Sequence, residues 1–251
     1  MKIDVIGSGS AFSKVNNTSA IHIEDFNNNQ WLIDCGPTVP RALWQREIEV
    51  NAIQVIFFTH IHPDHSCGLT ALINHWKSFK RSQSLDIFCQ QAQQAPLKHL
   101  VELAIWPQKE LCFEIHWHDI DSEFIWRDWK IQTAYTQHEI PNRALRLTIG
   151  SNSLFYSGDG RPTQASEKLM QGVDLAFQEC AAFEALPANS SHGDYPDCLR
   201  LLENGSINLL GLYHCFDETI PWLSQACANN PKLFVSHDGL VLDVTEMKNS
   251  I

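Results

Sequence analysis

The stretch Val55-Ile56-Phe57-Phe58-Thr59-His60-Ile61-His62-Pro63-Asp64-His65-Ser66-Cys67-Gly68-Leu69 decides the reading of the chain. Four apolar residues, β-branched and aromatic, predict a short buried strand. The strand stops where the histidines begin, because Pro63 cannot continue a central strand. Asp64 to Gly68 are expected to turn the chain into a helix that starts near Leu69. Three histidines and an aspartate therefore crowd into six residues at the end of a strand. Imidazole nitrogen and carboxylate oxygen are the donors a zinc-like ion prefers in a site that keeps an open position. His60 and His62 are two apart, so on extended backbone they point the same way and can share one ion. Asp64 and His65 lie past the proline, where the turn can aim them at a second ion. Ion pairs about 3.5–4 Å apart are a recurrent hydrolytic device.

His60-Ile61-His62-Pro63-Asp64-His65 resembles the HxHxDH signature of the metallo-β-lactamase superfamily. The resemblance implies an α/β (α+β) chain folded as a four-layer αββα sandwich. The rest of the chain follows the same order. Ile131 to Thr136 reads as a strand running to Gln137-His138. Ser153 to Tyr156 runs into Ser157-Gly158-Asp159, a carboxylate at a sharp turn. Ile207 to Leu212 runs to Tyr213-His214. By resemblance, His60, His62 and His138 hold one metal, Asp64, His65 and His214 hold the second, and Asp159 bridges them. His237 also ends an apolar run and competes with His214 for the last place. Leu209 to His214 is the segment that resembles the family's final histidine strand.

The opening of the chain narrows the resemblance. Gly7-Ser8-Gly9-Ser10-Ala11, Asn17-Thr18-Ser19 and Leu32-Ile33-Asp34-Cys35-Gly36 are similar to the start of the ribonuclease Z-like branch. Asp34 is then expected to support the metal ligands from behind. Glu179-Cys180 followed by Ser191-His192 is similar to that branch's accessory pattern, in which a histidine outside the metal ligands helps protonate or stabilise the leaving phosphate oxygen. Two features depart from ribonuclease Z. Only a tight hairpin separates His138 from Asp159, where the tRNA-gripping arm would be inserted. Gly193-Asp194 follows the accessory histidine, where the family has Ser or Thr. Both features favour a smaller phosphodiester, as in related cyclic phosphodiesterases. The cysteine-rich structural zinc cluster common in those relatives is not found.

Composition agrees. The 251 residues are 44% hydrophobic, which suits one domain spanning 1–251. A formal net charge of −11 disfavours large nucleic acids, whose binders carry basic surfaces. The 8 cysteines are scattered without CxxC, so they read as mostly buried thiols of a reducing compartment. Cys67 and Cys215 adjoin ligands and read as fillers behind the metal ligands, with weak ligation as the alternative. Nothing predicts a signal peptide or a membrane span, so the expected location is cytoplasmic. His22 lies in a strand alternation and reads as a hydrogen-bonded rather than a metal-binding histidine. His116-Trp117-His118-Asp119 imitates a metal motif without the proline turn. The aromatic-rich segment 75–130 reads as core plus a wall for substrate or for a second copy, which makes a homodimer a hypothesis.

The expectation is a hydrolase with two divalent ions, zinc foremost and manganese or iron as alternatives, acting on a small phosphodiester through a metal-bridged hydroxide. Asp64 and His192 are the candidate catalytic side chains. A carboxylic ester, lactone or thioester hydrolase on the same core is the alternative.

Overall fold

The computed structural model describes residues 1–205 and 207–249. Three strands open the chain: β1 (Lys2–Gly7), β2 (Ala20–Glu24) and β3 (Gln30–Ile33). Helix α1 (Val39–Gln45) leads to β4 (Val55–Phe57). Next come α2 (Pro63–Ser66), α3 (Leu69–Ser78), β5 (Leu85–Phe88), α4 (Gln94–Ile105) and β6 (Ile115–His118). The second half comprises β7 (Glu123–Trp126), β8 (Trp129–Tyr135), β9 (Arg143–Ile149), β10 (Asn152–Tyr156), α5 (Gln164–Met170), β11 (Leu175–Glu179) and α6 (Tyr195–Asn204). It closes with β12 (Leu209–Tyr213), α7 (Ile220–Cys227), β13 (Leu233–Val235), β14 (Val241–Asp243) and α8 (Val244–Asn249).

The strands form two seven-stranded sheets, ordered β14-β1-β2-β3-β4-β5-β6 and β13-β12-β11-β10-β9-β8-β7. The halves mirror one another. In the first sheet β3 to β6 run parallel; in the second β10 to β13 do. Antiparallel strands complete each sheet. Parallel strands need covered faces, and three apolar clusters provide the cover. One lies between the sheets, where Trp31, Phe57, Trp129, Leu145, Tyr156 and Phe177 are buried together. A second packs the first sheet against helices, through Ile56, Phe58 and the Leu69, Leu72, Ile73 and Trp76 face of α3. A third packs the second sheet against Leu201 of α6 and Leu223 of α7. The four αββα layers follow from these three interfaces.

The sheets are also joined by polar contacts. Asp25, at the β2–β3 turn, accepts hydrogen bonds from the amides of Asn27 and Asn29, from Asn29 Nδ2, and from the Trp129 indole at 2.7 Å. Two expectations are corrected. The segment past the proline is a short helix rather than a turn: Pro63 takes its first position, where a missing N–H costs nothing. Cys67 is exposed and fills no space beside the site, whereas Cys215 is buried in the third cluster.

Candidate metal centre

The candidate residues meet at the carboxyl ends of the parallel strands, at the seam between the sheets. His60 follows β4, Asp159 follows β10, His214 follows β12, and Asp64 and His65 ride on α2. His138 lies in the loop beyond β8, anchored by the Gln137–Arg161 backbone bridge. It is therefore three residues past the strand rather than at its tip. Two residues that end their strands here hold left-handed backbone, Asp34 at φ 63 and His214 at φ 55. Such conformations are costly for non-glycine residues and concentrate at functional sites.

Three overlapping groups of side chains converge. The first comprises His60, His62, His138 and Asp159, the second Asp64, His65, Asp159 and His214, and the third Asp159, Glu179, His192 and His214. In each group the donor atoms lie within 4.8 Å of one another, and Asp159 belongs to all three. His62 Nδ1 stands 3.1 Å from His60 Nε2 and 3.1 Å from His138 Nε2. His65 Nε2 lies 3.1 Å from Asp159 Oδ1 and 3.2 Å from Asp64 Oδ2. His214 Nε2 is 3.3 Å from both carboxylates.

The hydrogen bonds behind the rings fix which nitrogen faces inward. His65 Nδ1 donates to Asp34 Oδ2 at 2.8 Å, and His138 Nδ1 donates to the Ser191 carbonyl at 2.9 Å. Thr59 Oγ1 donates to Asp34, so its lone pair takes His60 Nδ1 at 3.1 Å. His62 is turned over: its Nε2 meets Glu139 Oε1 at 2.9 Å, which leaves Nδ1 inward. Each of these four rings is thus held from outside through one nitrogen while the other faces the centre, the arrangement metal-ligating histidines adopt. His65 Nε2 and Asp159 Oδ1 are buried without any hydrogen-bond partner. Ligands ~2.0–2.1 Å from a tetrahedral ion sit roughly 3.3 Å apart, close to these separations. The residues fit two divalent ions.

Electrostatics agree. Burial alone would lower His214, but Asp159, Asp64 and Glu179 raise it to about 10. Burial would likewise lower His65, which Asp159 and Asp34 hold well above its ordinary value. His60 is pushed well below its ordinary value, first by burial and then by the charge on His65. The cluster attracts positive charge at its carboxylates and keeps neutral imidazole on its other side.

His192 lies beside the cluster, its ring 5.5 Å from that of His138 and 5.9 Å from that of His214. Its Nδ1 donates to Glu179 Oε1, and this bond raises the His192 pKa above the usual value despite partial burial. Glu179 is fully buried, accepts the Gly160 amide through Oε2, and lies 3.4 Å from His214 Nδ1. One carboxylate thus orients both histidines. Arg161 and Gln137 hold the loop that carries His192. Arg161 bonds the carbonyls of Leu186 and Pro187 and pairs with Asp194 and Asp197; Gln137 bonds the carbonyls of Ala188 and Ser190. Asp194, which departs from the family pattern, caps α6.

The remaining histidines stand elsewhere. His237 is exposed, with Nδ1 against the Asp238 carbonyl, so His214 alone takes the final place. His22 pairs with Gln30. His116 and His118 face Asp86 and join none of the groups. Glu139 and Arg161 are what sequence reasoning left out of the site. Glu179 entered that reasoning only as part of the accessory pattern, without a role of its own, although it ends an apolar strand as the other site residues do. A separate cleft of about 390 Å³ at Lys2, Asp4, His22 and Arg46 shares no residue with the cluster.

The sandwiched sheets define a metallo-β-lactamase-fold protein. Within that class the chain belongs to the family described as Anti-Pycsar protein Apyc1, whose pattern matches residues 1–230. It is 32% identical over 251 residues to the Apyc1 of Bacillus phage 010DV004, covering 95% of this chain and 89% of the phage protein. With the Apyc1 of Paenibacillus xerothermodurans it shares 31% over 176 residues, 64% of this chain and 66% of that protein. The match to ribonuclease Z of Prochlorococcus marinus (strain NATL1A), 25% identical, covers 59% of this chain and spans about half of that enzyme, 49%. Human tRNase Z, short form, superposes with a TM-score of 0.81 over 97% of this chain and 99% of its own at 19% identity. No helix among the described residues is long and apolar enough to cross a membrane.

Proposed function

We propose that this chain is a metal-dependent phosphodiesterase that hydrolyses cyclic nucleotides, with residues 1–251 acting as one domain. The observation that carries the reading is the Glu179–His192 pair set beside two ligand groups that share Asp159. The Apyc1 family supplies the substrate class, since its members degrade cyclic nucleotides.

His60, His62, His138 and Asp159 would hold one ion, and Asp64, His65, Asp159 and His214 the other. Zinc suits these donors, and manganese and iron are the alternatives. When bound, the ions lower the pKa of water toward neutrality and offset charge on the phosphoryl oxygens. The chain's own groups do the rest. Asp64, with Oδ2 near His65 and His214, orients the attacking water and takes its proton. A new bond joins the water oxygen to phosphorus as the bond to the leaving oxygen breaks. His192, kept protonated by Glu179, delivers its proton to that leaving oxygen. Asp34, Thr59, Glu139 and the Ser191 carbonyl lock the imidazoles.

A small substrate suits the segment between His138 and Asp159, which holds one loop and the β9–β10 hairpin, with no inserted arm to grip a larger nucleic acid. A cytoplasmic location fits the eight free thiols, six of them buried. A homodimer through the aromatic face is supported by Phe79 and Trp106, 65% and 78% exposed, and light scattering tests it. The function is tested by turnover of 3′,5′-cyclic AMP and UMP by zinc- or manganese-loaded protein, beside lactone and thioester panels. Cyclic nucleotide turnover is expected. Lactone or thioester turnover with no diester turnover would overturn the assignment in favour of carboxylic ester chemistry.

A further inference from the structure

Beside the metal centre lies a cleft of about 620 Å³, within the ~300–1,000 Å³ range of small-ligand sites. His192 and His214 form its inner end, and Phe12 and Phe216 line it. Phe12 is 93% exposed, an unusual state for a large apolar ring. It sits on a loop that is tied down at several points. At the base, the Gly9 amide meets the Asn17 carbonyl at 2.8 Å, and Asp238 takes the amides of Ser8 and Asn17 at 3.1 and 2.7 Å. Across the cleft, Asp217 takes the Ser13 hydroxyl at 2.6 Å and the Lys14 amide at 2.7 Å. The loop folds tightly over Gly9, where a Cβ would come within 2.7 Å of Ser13 Cβ. Opposite, Phe216 packs edge-on to His192 with ring centroids 6.2 Å apart. An apolar ring is thus held in water, next to the site where a phosphodiester would react.

We infer that the cleft between Phe12 and Phe216 is the nucleobase subsite, in which the base of the cyclic nucleotide stacks on the Phe12 ring while its phosphodiester lies at His192 and His214. The inference rests on the proposed phosphodiesterase function and adds to it the part of the substrate that does not react. A flat heteroaromatic base is the occupant that matches a presented phenyl ring, and base–aromatic stacking has the strength needed for binding. Because the loop is fixed beforehand, little ordering cost offsets that gain. Phe12 is a binding residue distant from the bonds that change, so its removal acts on KM and leaves kcat alone.

The test compares Phe12→Ala, Phe12→Leu and Phe12→Trp on two substrates. One is 3′,5′-cyclic AMP. The other is a base-free diester, 1-deoxyribofuranose 3,5-cyclic phosphate. Phe12 is exposed, so folding is unaffected, and matched melting curves verify this. The expected result is a KM for cyclic AMP raised about tenfold in the alanine and leucine variants, restored in the tryptophan variant, with kcat within twofold. The KM for the base-free diester stays at the parent value in all three. Equal shifts on both substrates, or no shift on cyclic AMP, would overturn the subsite while leaving the phosphodiesterase in place. Wild-type turnover of the base-free diester without turnover of cyclic AMP would overturn it as well. Failure of the wild type on both diesters would remove the subsite together with the function it rests on.

Discussion

The most discriminating perturbation is His192→Ala, read on substrates that differ in leaving group. His192 lies outside the two ligand groups assigned to the ions, and bound metal measured for each variant separates loss of proton delivery from loss of an ion. Its Nδ1 bond to the buried Glu179 carboxylate holds the ring in place and raises its pKa, so the imidazolium survives to higher pH than a free histidine. A positioned general acid contributes ~10²–10⁴-fold where the leaving oxygen needs a proton. A ribose alkoxide is such a group; a p-nitrophenolate departs unaided. His192→Ala is therefore expected to lower kcat on 3′,5′-cyclic AMP by about 10²–10⁴ and on bis(p-nitrophenyl) phosphate by no more than about tenfold. Glu179→Gln should show the same selectivity at a smaller scale. It loses a charge-assisted hydrogen bond worth about 1.5–3 kcal/mol, or roughly 10- to 100-fold. The assay is steady-state kinetics on the zinc-loaded proteins, with bound metal measured for each. Equal losses on both substrates at full metal occupancy would refute proton delivery and leave His192 as a positioning residue.

Two further outcomes follow from the polar interior. Zinc present at about 1,000 times its dissociation constant should stabilise the fold by about 4 kcal/mol per site. At ~2–4 °C per kcal/mol for a chain of this size, differential scanning fluorimetry should show a rise of about 10 °C or more, and His60→Ala combined with His138→Ala should blunt it. Asp25→Asn turns an amide N–H₂ toward donors that the carboxylate satisfied, so it should cost about 2–5 kcal/mol by urea denaturation. Burial alone would raise the Asp25 pKa, but the Trp129 indole and the Asn29 and Asn27 donors bring it below the ordinary value. Its stabilisation is therefore complete above the unfolded pKa of ~3.9 and fades as pH falls through the lower folded value. The gap between parent and Asp25→Asn should hold constant from about pH 5 to 8 and narrow below about 4; a gap that widens at low pH would contradict the assignment.

The centre was legible in the chain because its ligands obey local rules. His60, Asp159 and His214 follow short runs of buried apolar residues, and Pro63 and the glycines flanking Asp159 mark where two of those strands end. What the sequence hid depends on contacts between distant residues. Asp25 and Trp129 are 104 positions apart, and no periodicity announces that an indole from one sheet will meet a turn of the other. Arg161 reads as a surface arginine after a turn until the 180s loop folds against it. Glu139 lies beside His138 with no pattern to single it out. The helix at Pro63–Ser66 escaped because four residues are too few to show a 3.6-residue period, and α5 carries its start signal only in the Thr163–Ser166 capping box. Phe12 was passed over because an isolated aromatic in a glycine-rich loop has no sequence context; its exposure and the Asp217 clasp give it meaning.

The central claim is that two ions share Asp159. Metal content by inductively coupled plasma mass spectrometry, after zinc loading and desalting, tests it most directly. The account predicts two equivalents per chain in the parent and at most one in Asp159→Ala, whose first and second ligand groups both lose an oxygen donor. A parent that retains a single equivalent, or an Asp159→Ala protein that still holds two, would contradict it.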